Sequence, residues 1–172
     1  MLRAFAPALA VCCGLAFAAP ARAEAPSLLV AVLEFRSPLP EQQRAPFGER
    51  LRYASQVRRQ LAAAATLAAK VMTLDEMQRL AIANPDALNQ CDDESCVAVG
   101  KLLGADAVVE GVFGKDGKKL KATLRLFDVR KGGEPLSVVI VRAASGDKLL
   151  AGVSAAAAKL AAKLPAAVGP RK

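Results

Sequence analysis

The sequence predicts an α/β (mixed α+β) fold: a five-stranded mixed sheet in the order 2-1-3-4-5 with helices packed on it. Three stretches carry that expectation. Leu28 to Phe35 (LLVAVLEF) is a continuous apolar run with β-branched residues, the pattern of a parallel strand covered on both faces. Cys91 to Phe113 (CDDESCVAVGKLLGADAVVEGVF) sets a helix start, an amphipathic helix, a glycine stop and a buried strand in one unit. Leu120 to Val129 alternates Leu120, Ala122, Leu124 and Leu126 with Lys121, Thr123 and Arg125, as an antiparallel strand does. The element order reads β-α-β-α-α-β-β-β-α. Right-handed crossovers make the first three strands parallel, and short turns add the last two antiparallel. The third strand then sits centrally, beside the first.

The 172 residues suit one domain behind an export signal. Arg3 gives a positive start, residues 4–19 are apolar and small, and Ala21-Arg22-Ala23 follows Pro20 with small residues where a signal peptidase reads. The expectation is a Sec signal peptide over residues 1–23, cleaved after Ala23. A single domain over 24–165 and a disordered tail over 166–172 follow, in the periplasm and with no integral membrane span after cleavage. The apolar run is short for a bilayer span. Lipid anchoring is the alternative, because Cys12 and Cys13 lie in this run, but Val11 is too large for a lipidation box.

Cleavage leaves two cysteines, Cys91 and Cys96. An even pair in an exported chain is most simply a disulfide, with two buried free thiols as the alternative. Its loop is short, so loop-closure entropy gives it roughly 2 kcal/mol, and it pins a loop to a helix start. Losing Arg3 and Arg22 takes the 24 basic residues to 22 against 16 acidic ones, a net +6. Such a chain suits an acidic protein face or anionic envelope polymer. Aromatic residues are scarce and do not interleave with the basic ones, so nucleic acid is not expected. Plain solubility charge explains the same excess.

The remaining elements follow in order. Arg36 to Pro40 is a loop. Pro46 to about Ala65 is a helix with Phe47, Leu51, Ala54, Leu61 and Ala65 on one stripe. Arg50, Arg52, Arg58 and Arg59 fill much of its other surface, a candidate interaction face or simply a solvated one. Ala69 to Met72 is a short strand. Thr73 and Glu76 form a capping box for a helix over Leu74 to Ala83, with Leu74, Met77, Leu80 and Ala81 inward; Asn84-Pro85 ends it. Asp92, Asp93 and Ser95 suit the next helix start. Val97, Leu102 and Leu103 face the core there, with Ala98 and Val99 around them. Gly104 closes that helix in the left-handed conformation, and the strand Ala105 to Phe113 follows. Gly100 and Gly111 mark close packing. Gly114 to Gly117 is a hairpin turn, Lys131-Gly132-Gly133 a second, and Leu136 to Arg142 the last strand. Ser145 or Asp147 caps a final helix, lined by Leu149, Val153, Ala157, Leu160 and Leu164 and stopped by Pro165.

An apolar first strand and long helix, a Thr-led helix, then C-x4-C-x3-G-x2-LGAD-x-VV-x-G, two hairpin strands ending in LRLFDVRKGG and an Ala-rich helix resemble the TolB-N-terminal-like domain. CsgG-like curli-secretion proteins, periplasmic activators of penicillin-binding proteins and flagellar assembly proteins are similar. The resemblance covers nearly all of the mature chain. It rests most on Cys91, Cys96, Gly100, Leu103, Gly104, Ala105, Asp106 and Gly111, then Leu124, Leu126 and Asp128. It implies a small periplasmic domain that works by contacting other proteins. TolB-like proteins add a β-propeller, and CsgG-like subunits are longer, lipidated and carry membrane-spanning strands. This chain shows none of these, so a pore is not expected.

No histidine is present, which excludes Ser-His and Cys-His nucleophiles. The GKDG of residues 114–117 sits in a hairpin and is no phosphate loop. Two cysteines without histidine make no zinc site, and Asp92, Asp93 and Glu94 lack the ligand alternation of a calcium loop. No cofactor, metal or catalytic residue is assigned. Asp106 and Glu110, an even number of residues apart, could form an acid–base pair. The expectation is instead that Asp106 bonds loop amides and Glu110 pairs with a Lys or Arg. The function expected is a non-enzymatic interaction or accessory module in envelope assembly, secretion or transport, its protein partner unidentified. Binding of anionic envelope polymers through the Arg50–Arg59 face is the second reading, and a carboxylate-dependent enzyme the third.

Overall fold

The computed structural model describes residues 28–41, 45–64, 69–82, 88 and 93–168. The expected signal peptide with Cys12 and Cys13, the loop over 84–87, Cys91, Asp92 and the last four residues lie outside them. The elements are β1 (Leu28–Arg36), α1 (Phe47–Ala64), β2 (Ala69–Val71), α2 (Leu74–Leu80), α3 (Asp93–Leu102), β3 (Ala107–Asp116), β4 (Lys119–Asp128), β5 (Ser137–Ala143) and α4 (Gly146–Val168). The sheet runs β2-β1-β3-β4-β5. β1 pairs parallel with β2 and β3, and the β3–β4 and β4–β5 pairs are antiparallel. This is the predicted order, with β3 central.

β1 is apolar from Leu28 to Leu33 because both of its faces are covered there. Leu28, Val30, Val32 and Phe35 enter a core shared with α1 and α4, while Ala31 and Leu33 enter a second core with α2 and α3. The expected α4 stripe (Leu149, Val153, Ala157, Leu160, Leu164) is buried throughout. In α1, Ala54 and Leu61 are buried as expected, Leu51 is half-buried, and Tyr53 and Val57 join them. The Tyr53 hydroxyl donates to the Gly146 carbonyl at 2.8 Å, tying α1 to the start of α4.

The helix ends follow their caps. Gly104 takes φ 64°, its amide donates to Lys101 O at 3.1 Å, and the Ala105 amide donates to Gly100 O at 2.9 Å. That paired arrangement satisfies the last carbonyls of α3. Leu102, expected inside, is 47% exposed, and Ala98 is exposed too. Cys96, Val99 and Leu103 recur at helical spacing and take the inward stripe, and Leu102 lies about 100° round from Leu103. Leu80 is likewise 51% exposed, because α2 stops at Leu80 and Ala81 turns in instead.

Two further boundaries differ from expectation. β3 runs on to Asp116, so the hairpin turn contracts to Gly117-Lys118, with Gly117 at φ 58°. α4 continues past Pro165 to Val168, so residues 166–168 are helical. Val168 is buried in the larger core, and its carbonyl, one of the last of the helix and so without an intrahelical donor, accepts from Arg130 Nη2.

The capping box of α2 is formed. The Glu76 amide donates to Thr73 Oγ1 at 3.1 Å, and Glu76 Oε2 accepts from the Thr73 amide at 2.7 Å. That amide first, then the Lys70 ammonium, hold the Glu76 carboxyl at about 2 against an ordinary 4.5. A carboxyl depressed in the folded state stabilises above its unfolded value, and the contribution disappears as pH falls through the folded one. The start of α2 is therefore expected to loosen as pH drops from about 4.5 towards 2. An NMR titration of the Glu76 carboxyl with a midpoint near 4.5 would refute the cap's role.

Candidate functional site

The four arginines expected on one face of α1 take different positions. Arg52 and Arg59 are exposed, Arg59 donating to Gln56 Oε1 at 2.5 Å. Arg50 is half-buried. Arg58 turns inward, 9% exposed, and its Nη2 donates to the Val32 carbonyl at 2.8 Å. The register of β1 against β3 slips between Val32 and Phe35, next to that carbonyl. A bulge leaves residues out of the ladder, and a guanidinium supplies a donor there. Burial pushes the Glu34 carboxyl up, opposed by the charges of Arg50 and Arg58. Burial also lowers Arg58, opposed by Glu34. The β1–α1 contact thus holds a mixed-charge cluster, with Arg52 and Arg59 outside it.

Asp106 and Glu110 take separate structural partners. Asp106 immediately precedes β3 and is 5% exposed. Its Oδ2 accepts from the Leu29 amide at 2.8 Å, its own amide donates to Leu29 O at 2.7 Å, and its carbonyl accepts from the Val129 amide at 3.0 Å. It joins the start of β1 to the end of β4. The expectation of loop amides is corrected: the carboxylate takes the amide of Leu29, inside β1, because the parallel pairing of β1 with β3 brings that strand start beside the entrance of β3. Glu110 is 0% exposed. Oε1 accepts from Arg36 Nε at 2.5 Å, and Oε2 accepts from Arg125 Nε at 2.6 Å and also meets Arg125 Nη2. Arg125 in turn lies over the Phe127 ring, 5.3 Å from its centroid.

Asp128, which the sequence marked only as part of a motif, organises the turn after β4. Its Oδ1 accepts from the amides of Arg130 at 2.9 Å and Lys131 at 3.2 Å, and the side chains of both residues lie within 3.7 Å of its carboxylate. An Asp bonding amides two and three residues on is a turn former by mechanism, and that signal was available in DVRKGG.

Cys96 is fully buried in the second core and disulfide-bonded; Cys91, its expected partner, lies outside the described residues. Of the acids at the start of α3, Glu94 is exposed. Among the described residues no group of His, Cys, Asp and Glu is placed to hold a metal ion, and no helix is long and apolar enough to cross a membrane. A cavity of about 230 Å³ opens beyond the end of β1, lined by Ser37, Glu49, Phe113, Lys115, Leu120 and Leu149 among others.

No protein-family model matches the sequence, and no curated protein does. Solved structures do resemble the fold. The LpoB C-terminal domain from Salmonella enterica aligns with TM-score 0.51 at 11% identity, over 72% of this chain and 87% of that one. Escherichia coli LpoB aligns with TM-score 0.51 at 9% identity, over 69% of this chain and 59% of that one. TolB from Acinetobacter baumannii aligns with TM-score 0.48 at 15% identity over 87% of this chain, which spans only 31% of TolB. At such identities the likeness is one of fold. It rests on the two LpoB alignments, and none of these three structures is a CsgG-like protein.

Proposed function

We propose that the chain is an exported, non-enzymatic interaction or accessory module of the cell envelope, serving assembly, secretion or transport by contacting another protein. One observation carries this reading. The two carboxylates best suited to acid–base chemistry are engaged in the fold, Asp106 with the Leu29 amide and Glu110 between two guanidiniums. The fold likeness to the LpoB C-terminal domain and the resemblance read from the sequence support it. Fold alone does not fix function, so the site's chemistry has to bear the argument.

The leader and the Cys91–Cys96 bridge belong to the same proposal. Burial of Cys96 beside Val97 and Val99 suits a structural disulfide. Protein purified natively from the periplasm is expected to show no titratable thiol before reduction; two reactive thiols would refute the bridge. The proposal as a whole is tested by crosslinking in the intact envelope. Discrete adducts with another protein are expected. A chain that yields none under any condition would remove the reading.

A further inference from the structure

The two faces of the sheet are covered unequally. On one, helices of 18 and 23 residues, α1 and α4, close the larger core. On the other, α2 and α3 have 7 and 10 residues and pack over Ala31, Leu33, Val108 and Phe127. The register of the last three strands places further side chains on this second face. Val112 stands opposite Thr123, and Thr123 opposite Ile140. In the row on one side Glu110 faces Arg125, and Arg125 faces Val138; in the row on the other, Gly114 faces Lys121, and Lys121 faces Arg142.

Val138 and Ile140 are 49% and 45% exposed, and Leu136, just before β5, is 40% exposed. The opposite alternation of β5, Val139, Val141 and Ala143, packs against the larger core. A meander strand with one wet face carries polar residues there; β5 carries valine and isoleucine on both faces, as a strand covered twice does. No described element covers the second side.

The charge framing this face points to the occupant. Lys121 and Arg142 border the Thr123–Ile140 row on one side, and Arg36 and Arg125 on the other. The carboxylates on the same face are both engaged: Glu110 by Arg36 and Arg125, and Asp116 by Arg142 at 2.6 Å. With Lys119, which stands opposite Asp116 at the hairpin end of the same face, five cations face two acids. A second copy docked symmetrically would set this basic frame against itself, and like charges across an interface oppose docking.

We infer that the β4–β5 face docks an acidic amphipathic helix of a partner protein. Its apolar stripe lies over Leu136, Val138 and Ile140, and its flanking carboxylates meet Lys121, Arg142 and Arg36. Helix-in-groove recognition has this form, with apolar anchors giving affinity and charges giving selection. The inference deepens the interaction-module proposal and rests on it.

The test uses the full exported chain with benzoylphenylalanine placed at Val138, at Ile140 or, as controls on α1, at Arg52 or Arg59. It is paired with titration of a synthetic amphipathic helix bearing leucines on one side and glutamates flanking them. Crosslinks to another protein are expected from β5, and the Lys121→Glu/Arg142→Glu variant is expected to weaken them about tenfold. The acidic peptide is expected to move the amide resonances of Val112, Thr123 and Ile140, and its lysine counterpart to bind at least about tenfold more weakly. That comparison needs no variant. Adducts from α1 with none from β5 would overturn this inference and leave the interaction module standing. Adducts from none of the four positions would overturn both. A crosslink between two copies of the chain from β5, or equal binding of the two peptides, would overturn the acidic partner.

Discussion

Replacing Glu110 with alanine is expected to destabilise the domain by about 3 kcal/mol. Removing one partner of a buried ion pair typically costs 3–5 kcal/mol, because the remaining charge is left uncompensated. Two guanidiniums would remain around an empty site, but the Arg36 and Arg125 side chains keep 30% and 17% of their surface in water. They can rehydrate in part, which sets the estimate at the low end. Arg36→Ala leaves Glu110 its bonds to Arg125 and should cost about 1 kcal/mol. Replacing all three, as Arg36→Met/Glu110→Leu/Arg125→Met, should restore stability to within about 1 kcal/mol of the parent, since apolar groups of similar volume often substitute for buried ions. Urea unfolding at constant m-value distinguishes these outcomes. A Glu110→Ala protein as stable as the parent would show that the triad does not hold the sheet.

Gly111→Ala is expected to cost about 3 kcal/mol, the upper end for overpacking by one methyl group. A Cβ there would lie 2.4 Å from two atoms of the Phe35 ring. Phe35 faces Gly111 directly across the β1–β3 ladder. The ring cannot withdraw. Its centroid is 5.0 Å from that of Phe113 and 5.7 Å from that of Tyr53, and those two rings meet edge to face at 4.6 Å. Shortening Phe35 to leucine should recover part of the loss, so a double-mutant cycle between positions 35 and 111 should show coupling above about 0.5 kcal/mol. Strict additivity would mean that the glycine is not there to receive the ring.

Much of the fold was legible because local chemistry and global arrangement agree at particular residues. Leu28–Phe35 has no polar alternation because helices cover both sides of β1. Thr73 and Glu76 cap α2, and Gly104 ends α3, by hydrogen bonds confined to one turn, which spacing alone can anticipate. Gly100 and Gly111 were read as close approaches, and a Cβ at Gly100 would lie 2.4 Å from Val129.

What stayed hidden depends on contacts far apart in the chain. Arg58 looks like a surface residue until the bulge in β1 offers it the Val32 carbonyl. A cation near Glu110 was anticipated, but the identity of both partners requires the register. Counting back equally from the Gly117-Lys118 turn reaches Arg125, whereas Arg36 arrives only through the parallel pairing of β1 with β3. Leu80 and Leu102 fit an inward stripe by type but fall in the last turns of short helices, where Ala81 and Leu103 take the inward positions. Pro165 signals a stop that packing of Val168 overrides.

If the chain works by contact, its buried carboxylates serve only the fold. The most direct measurement is the yield of partner adducts, together with cellular function, for Asp106→Asn in the intact envelope, with folding checked by thermal unfolding. The asparagine keeps an oxygen to accept from the Leu29 amide. A folded protein with parental adduct yield and parental function is expected. A folded Asp106→Asn protein that still forms the adducts but has lost its function would contradict that expectation.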